Sequence, residues 1–94
     1  MTREIIMSVL EGEGAESRSG VLTIREDREA TCFISAPGEL LSVARIVRVE
    51  IKDKFLTLQN AKDERYAFAY EDILGWKLVP ATANVKDRAA GFSR

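Results

Sequence analysis

The sequence predicts a mainly β fold, a small and partly open barrel or roll of five to seven strands. Three observations carry this. Apolar and polar residues alternate almost without a break from Val43 to Val79, and a half-buried strand repeats with period two because successive side chains point to opposite faces. Polar or Gly/Pro clusters at 26–29, 36–38, 53–54 and 60–64 punctuate the alternation as turns do. The longest apolar runs are only a few residues, far short of the ~20 that a spanning helix needs, so membrane insertion is not expected. At 94 residues the chain forms one domain with a thin core, expected over 1–80, and a flexible tail over 81–94 that carries only Val85 and Phe92 as sizeable apolar groups.

The elements follow in order. Residues 4–10 fit either a short helix or a strand, and Thr2 favours the helix as a cap. Glu11-Gly12-Glu13-Gly14 and then 17–20 read as loop. Residues 21–25 and 30–35 are strands, with Leu22 and Ile24 inward on the first and Ala30, Cys32 and Ile34 inward on the second. The polar turn 26–29 makes a hairpin their natural pairing. Ala36-Pro37-Gly38 ends the second strand.

Residues 41–51 form the longest strand, with Leu41, Val43, Val47, Val49 and Ile51 on one face and Ile46 on the other among Ser42, Ala44, Arg48, Glu50 and Lys52. A strand of this length calls for a bend or bulge near Arg45 and Ile46. After a turn at Asp53-Lys54, residues 55–59 alternate with Leu56 and Leu58 together, and 65–70 alternate with Tyr66, Phe68 and Tyr70 together. Residues 71–74 suit a single turn, 76–79 a last strand, and Pro80 its end.

The order of elements over residues 41–79 resembles the strand order of small SH3-like and Sm-like barrels; a pleckstrin-homology-like sheet is the competing topology. Separately, Ser19-Gly20-Val21-Leu22-Thr23-Ile24, Arg28-Glu29-Ala30, Phe33 and Gly38-Glu39-Leu40 with Ala44 resemble the central hairpin of PATAN-type domains of bacterial signalling proteins. That resemblance implies a protein-interaction role in signalling.

Function is bounded mainly by what is missing. With no histidine, the commonest general base and metal ligand is gone, so no enzyme, cofactor or metal site is expected. Cys32 stands between inward-facing Ala30 and Ile34, where a thiol acts as a small hydrophobe. As the sole cysteine it forms no intrachain disulfide, which fits a reducing cytoplasm, and residues 1–4 lack a secretory-signal pattern. The acidic groups Glu11, Glu13, Glu16, Glu26, Asp27, Glu29, Glu71 and Asp72 lie on polar loops and read as a solvated surface.

Fourteen basic residues against fifteen acidic, a net charge of −1, are not the footprint of binding to nucleic acid by bulk charge. A local patch of Arg45, Arg48, Lys52 and Lys54 with Phe55 for stacking is the candidate surface for phosphates or an acidic partner, unless Glu50 and Asp53 pair with it. Tyr66, Tyr70 and Trp76 are candidate interface aromatics, against the plainer alternative that they fill the core. The expectation is a non-enzymatic adaptor, scaffold or regulatory module that binds a protein or itself as a homodimer or higher oligomer. The alternative is a nucleic-acid-binding small barrel using the basic patch.

Overall fold

The computed structural model describes residues 1–81, so the tail expected to be flexible lies, beyond Ala81, outside the described residues. The chain runs α1 (Arg3–Gly12), β1 (Glu16–Arg18), β2 (Val21–Thr23), β3 (Arg28–Ala36), β4 (Glu39–Ile51), β5 (Phe55–Asn60), β6 (Arg65–Ala69), a 3₁₀ turn (Tyr70–Asp72) and β7 (Ile73–Pro80). Seven antiparallel strands make one curled sheet, an open half-barrel. The fold class is as the sequence predicts.

The first element is a helix. Thr2 Oγ1 accepts the Ile5 N–H at 3.2 Å, a cap worth about 1 kcal/mol. One turn apart, Ile6 and Leu10 are fully buried against the sheet, each contributing about 1.5–3 kcal/mol. The chain leaves the helix through Gly14, at φ +93, where an added Cβ would sit 2.5 Å from Arg25 Cδ. The backbone angle favours glycine there, while the crowding comes from an exposed arginine side chain that can swing aside.

β4 organises the sheet. Its first half pairs with β3 and its second half with β2 along the same side, while β5 takes the opposite side from Ile46 onward. The hairpin expected between residues 21–25 and 30–35 does not form. β2 and β3 lie end to end along β4, and β2 pairs instead with β1. Ile24, still held to β4 by its N–H on the Val47 carbonyl at 2.9 Å, and the polar residues 25–27 thus carry the chain from β2 to β3 along the same side of β4. Residues 17–20, expected as loop, form the β1–β2 hairpin, whose turn Ser19-Gly20 has φ +53 and +80, the left-handed pair that a two-residue hairpin favours.

The bulge expected near Arg45 and Ile46 is present, and it is double. Between the pairs Cys32↔Val43 and Ala30↔Ile46, β4 advances three residues against two, with Arg45 at φ +56. Between Ile46↔Asn60 and Arg48↔Gln59 it advances two against one. Each extra residue turns the strand over, so β4 buries every third residue: Val43, Ile46 and Val49. The expected faces are therefore corrected: Ile46 is in the core at 2% exposure, and Val47, assigned inward by strict alternation, is 39% exposed.

Leu41, also assigned inward, is 38% exposed, and β7 has a bulge of its own; on β2, β3 and β5 the alternation holds. Leu22, Ile24, Ala30, Cys32, Ile34, Leu56 and Leu58 are buried, with Tyr66, Phe68 and Tyr70 packed on the core's margin. The turn at 71–74 is displaced: it spans Tyr70–Asp72, and β7 already begins at buried Ile73.

Candidate functional site

The sheet curls without closing. Among the described residues β6 pairs only with β5 and β7 only with β3, so the strands at the two ends of the curl keep bare outer edges. Tyr66 and Phe68 of β6 and Trp76 and Leu78 of β7 are half-buried against the core. The Tyr66 and Phe68 rings are parallel within 6°, their centroids 6.4 Å apart.

The three candidate aromatics are tied down differently. The Tyr66 hydroxyl donates to Glu64 Oε1 at 3.0 Å, and that hydrogen bond raises the phenol's pKa. Glu64 also accepts from Asn60 Nδ2 at 2.8 Å, and the bonds from Asn60 and Tyr66 hold its carboxyl below the usual range. The Tyr70 hydroxyl donates to the Lys52 carbonyl, pinning the 3₁₀ turn to the β4–β5 turn; burial raises its pKa. The indole N–H of Trp76 is buried with no acceptor among the described residues, an arrangement that costs about 1–3 kcal/mol.

The basic residues do not form one cationic stripe. Arg45 sits in the first bulge with Nε 3.9 Å from Glu29 Oε2. Arg48 donates to Gln59 Oε1 at 3.4 Å, and Gln59 in turn to Asp63 Oδ1 at 2.5 Å. Lys52 Nζ is 3.6 Å from one oxygen of Glu50, whose other oxygen is 3.8 Å from Arg65. Asp53 faces Arg3 at 3.6 Å rather than the patch. Such exposed pairs are worth about 0–1 kcal/mol each, but they intersperse carboxylates among the cations. Lys54 has no ion pair among the described residues, and Phe55 beside it is 42% exposed.

Cys32 is fully buried, and burial pushes its thiol up to about 12, so it is not a nucleophile near neutral pH. Among the described residues no three acidic or cysteine side chains are placed to hold a metal ion, and no helix is long and apolar enough to cross a membrane.

Sequence reasoning missed Leu40, Leu41 and Leu74, exposed by 62%, 38% and 54%. Leu40 and Leu41 lie where β4 has β3 on one side and nothing described on the other, because β5 begins pairing only at Ile46. Leu74 is the extra residue of a bulge in β7. The signal for the first pair was the adjacency of two leucines just after Pro37-Gly38: on a period-two strand one of the two must face outward. In comparisons with known proteins, the chain matches no family model, no curated protein and no solved structure.

Proposed function

We propose that this chain is a non-enzymatic protein-interaction module, an adaptor or regulatory unit that associates with itself through a strand edge. The observation that carries the reading is the unclosed sheet, whose edge strands leave main-chain donors and acceptors without sheet partners among the described residues. Edge groups of this kind are the template on which another chain adds a strand, main-chain hydrogen bonds giving affinity and side-chain pockets specificity. The half-buried aromatics beside β6 and β7 supply rigid apolar surface of the sort enriched at interfaces. A thin core, thirteen apolar residues among those described, gains from any further burial.

Multi-angle light scattering from micromolar to millimolar protein tests this. The expected result is an apparent mass that rises with concentration above the 10.5 kDa of one chain. A constant monomer mass across that range refutes self-association.

The second reading, nucleic-acid binding, is favoured by one feature, the exposed Phe55 next to Lys54, which has no ion pair among the described residues. It predicts affinity for single-stranded RNA or duplex DNA that falls steeply with salt.

A further inference from the structure

The geometry points to the outer edge of β6, Arg65–Ala69, as the seam on which a second copy of this chain lays its own β6, antiparallel about a two-fold axis at Ala67. The inference rests on the self-associating reading above and specifies its site.

Among the described residues bare edges belong to β1, β6, β7 and the start of β4. Protein edges are commonly blunted by shortness, charge, bulges or proline, or covered by a loop. β1 is three exposed polar residues. β7 carries the Leu74 bulge, Lys77 at mid-strand and Pro80 at its end. The start of β4 runs into the 60–64 loop, where the Ala61 N–H takes the Arg45 carbonyl at 2.9 Å. β6 is different. Its pairing with β5 is unbroken from Arg65 to Ala69, it holds no proline or glycine, and no other element runs alongside it among the described residues. Its one charged side chain, Arg65, leans back across β5 to Glu50 at 3.8 Å.

The register follows from the hairpin. The Asn60 N–H bonds the Glu64 carbonyl at 3.0 Å, and on the other side of β5 the Lys52 N–H bonds the Phe55 carbonyl at 3.0 Å. Bonded pairs alternate along an antiparallel ladder, so Tyr66 and Phe68 exchange main-chain bonds with Leu58 and Leu56, while Arg65, Ala67 and Ala69 direct theirs away from β5. A two-fold at Ala67 brings outward groups to outward groups. Ala67 exchanges two hydrogen bonds with its counterpart, and the Ala69 N–H of each copy meets the Arg65 carbonyl of the other.

The side chains on both faces suit this register. On the core face the rows Leu58–Tyr66 and Leu56–Phe68 start fully buried and end half-buried at the edge. The two-fold sets Tyr66 beside Phe68 of the second copy, twice by symmetry, in the non-hydrogen-bonded pairs where side chains come closest. Each row then runs on as Leu58–Tyr66–Phe68–Leu56, and cross-strand aromatic pairs of this kind are favourable. On the outer face exposed Ala67 meets its counterpart, so no bulk stands at the axis. Arg65 falls opposite Ala69 of the second copy rather than opposite another arginine, and approaches the Glu71 and Asp72 carboxylates that follow. Neither carboxylate stands in an ion pair among the described residues. The edge is thus complementary to itself, as a two-fold interface requires.

Sedimentation equilibrium of the full chain and three variants tests the assignment. Ala67→Pro removes an N–H that faces away from β5; it is expected to weaken the dimer about a hundredfold through two lost symmetric hydrogen bonds while circular dichroism stays β. Ala67→Lys and Ala67→Glu each set like charges face to face on the axis and weaken it about fivefold. An equimolar mixture of those two recovers a heterodimer, since each charge then faces its opposite, and this recovery decides the matter even if Ala67→Pro fails to fold. A wild-type chain that stays monomeric overturns both this site and the self-associating reading. A wild-type dimer that none of the variants affects, and a mixture no tighter than its components, overturn this site alone.

Discussion

The two ends of β4 share a strand but not a surface. Ahead of the bulges, with β3 and β7, the outward rows are Leu40–Ser35 and Ser42–Phe33–Gly75, with Lys77 opposite Thr31 further along. Beyond the bulges, with β2, β5 and β6, they are Thr23–Arg48–Gln59–Arg65 and Val21–Glu50–Thr57–Ala67. The first surface is nearly uncharged and ends in a bare edge; the second is laced with ion pairs, and β4 there is paired on both sides. Two inserted residues separate them. The bulges do more than bend the strand: they let one sequence present an uncharged surface at one end and a charged one at the other.

The sharpest way to break this comparison is at the bulges. Ile46→Ala removes a side chain that is 2% exposed and is expected to cost about 2–5 kcal/mol. Val47→Ala, on its 39%-exposed neighbour, is expected to change stability by under ~0.5 kcal/mol. Urea unfolding of both variants checks this. The opposite ranking would mean that β4 keeps strict alternation and that the two surfaces are not divided where they are drawn here.

That same pair of residues marks the limit of what the sequence discloses. Burial of Leu22, Ala30, Cys32, Ile34, Leu56 and Leu58 was legible because each lies on a strand without an insertion, where period two is enforced by the pleat. The length of the strand called for a bulge near Arg45 and Ile46, but Ala44-Arg45 and Val47 carry no glycine or proline to show that there are two or where each residue turns over, and Arg45 sits at φ +56 between the shifted registers. The β1–β2 hairpin was invisible for a different reason, since Glu16, Ser17 and Arg18 are all exposed and no buried face sets an alternation. Of the candidate sites, the basic residues were visible as a list, but their partners Glu29, Gln59 and Arg65 come from other strands. The bare edge of β6 depends on which strand lies beside it, a matter of topology rather than composition.

A smaller effect probes the uncharged end from inside. Cys32 pairs across to Val43 and Trp76 at the middle of β3. Its thiol is ordinary at 9.0 in the unfolded chain and pushed up to about 12 in the fold by burial. Between those values the unfolded state has released a proton that the folded state keeps, so stability falls as pH rises, by about 1.4 kcal/mol per pH unit. Cys32→Ala is expected to remove that component, leaving the slope due to Tyr66 and Tyr70, whose values are also raised. Denaturant titrations of the two proteins at several alkaline pH values measure the difference; parallel pH profiles would place the thiol in contact with water and the β3 face outside the core.

The smallest stability change is expected at the charged end. Glu50 serves both Lys52 and Arg65 from the solvent side, so Glu50→Gln should alter stability by no more than ~0.5 kcal/mol. Its effect on the surface is larger in kind, because it moves the net charge from −1 to 0 and removes the carboxylate that separates Arg48, Lys52 and Arg65. If ion pairing is what keeps this face from acting as a phosphate-binding surface, the variant acquires salt-sensitive binding to single-stranded RNA that the wild type lacks. Fluorescence anisotropy at low salt compares the two. Equal, steeply salt-dependent binding by both proteins would show that the carboxylate does not guard the face, and would shift the functional weight from the bare edge of β6 to the basic residues beside it.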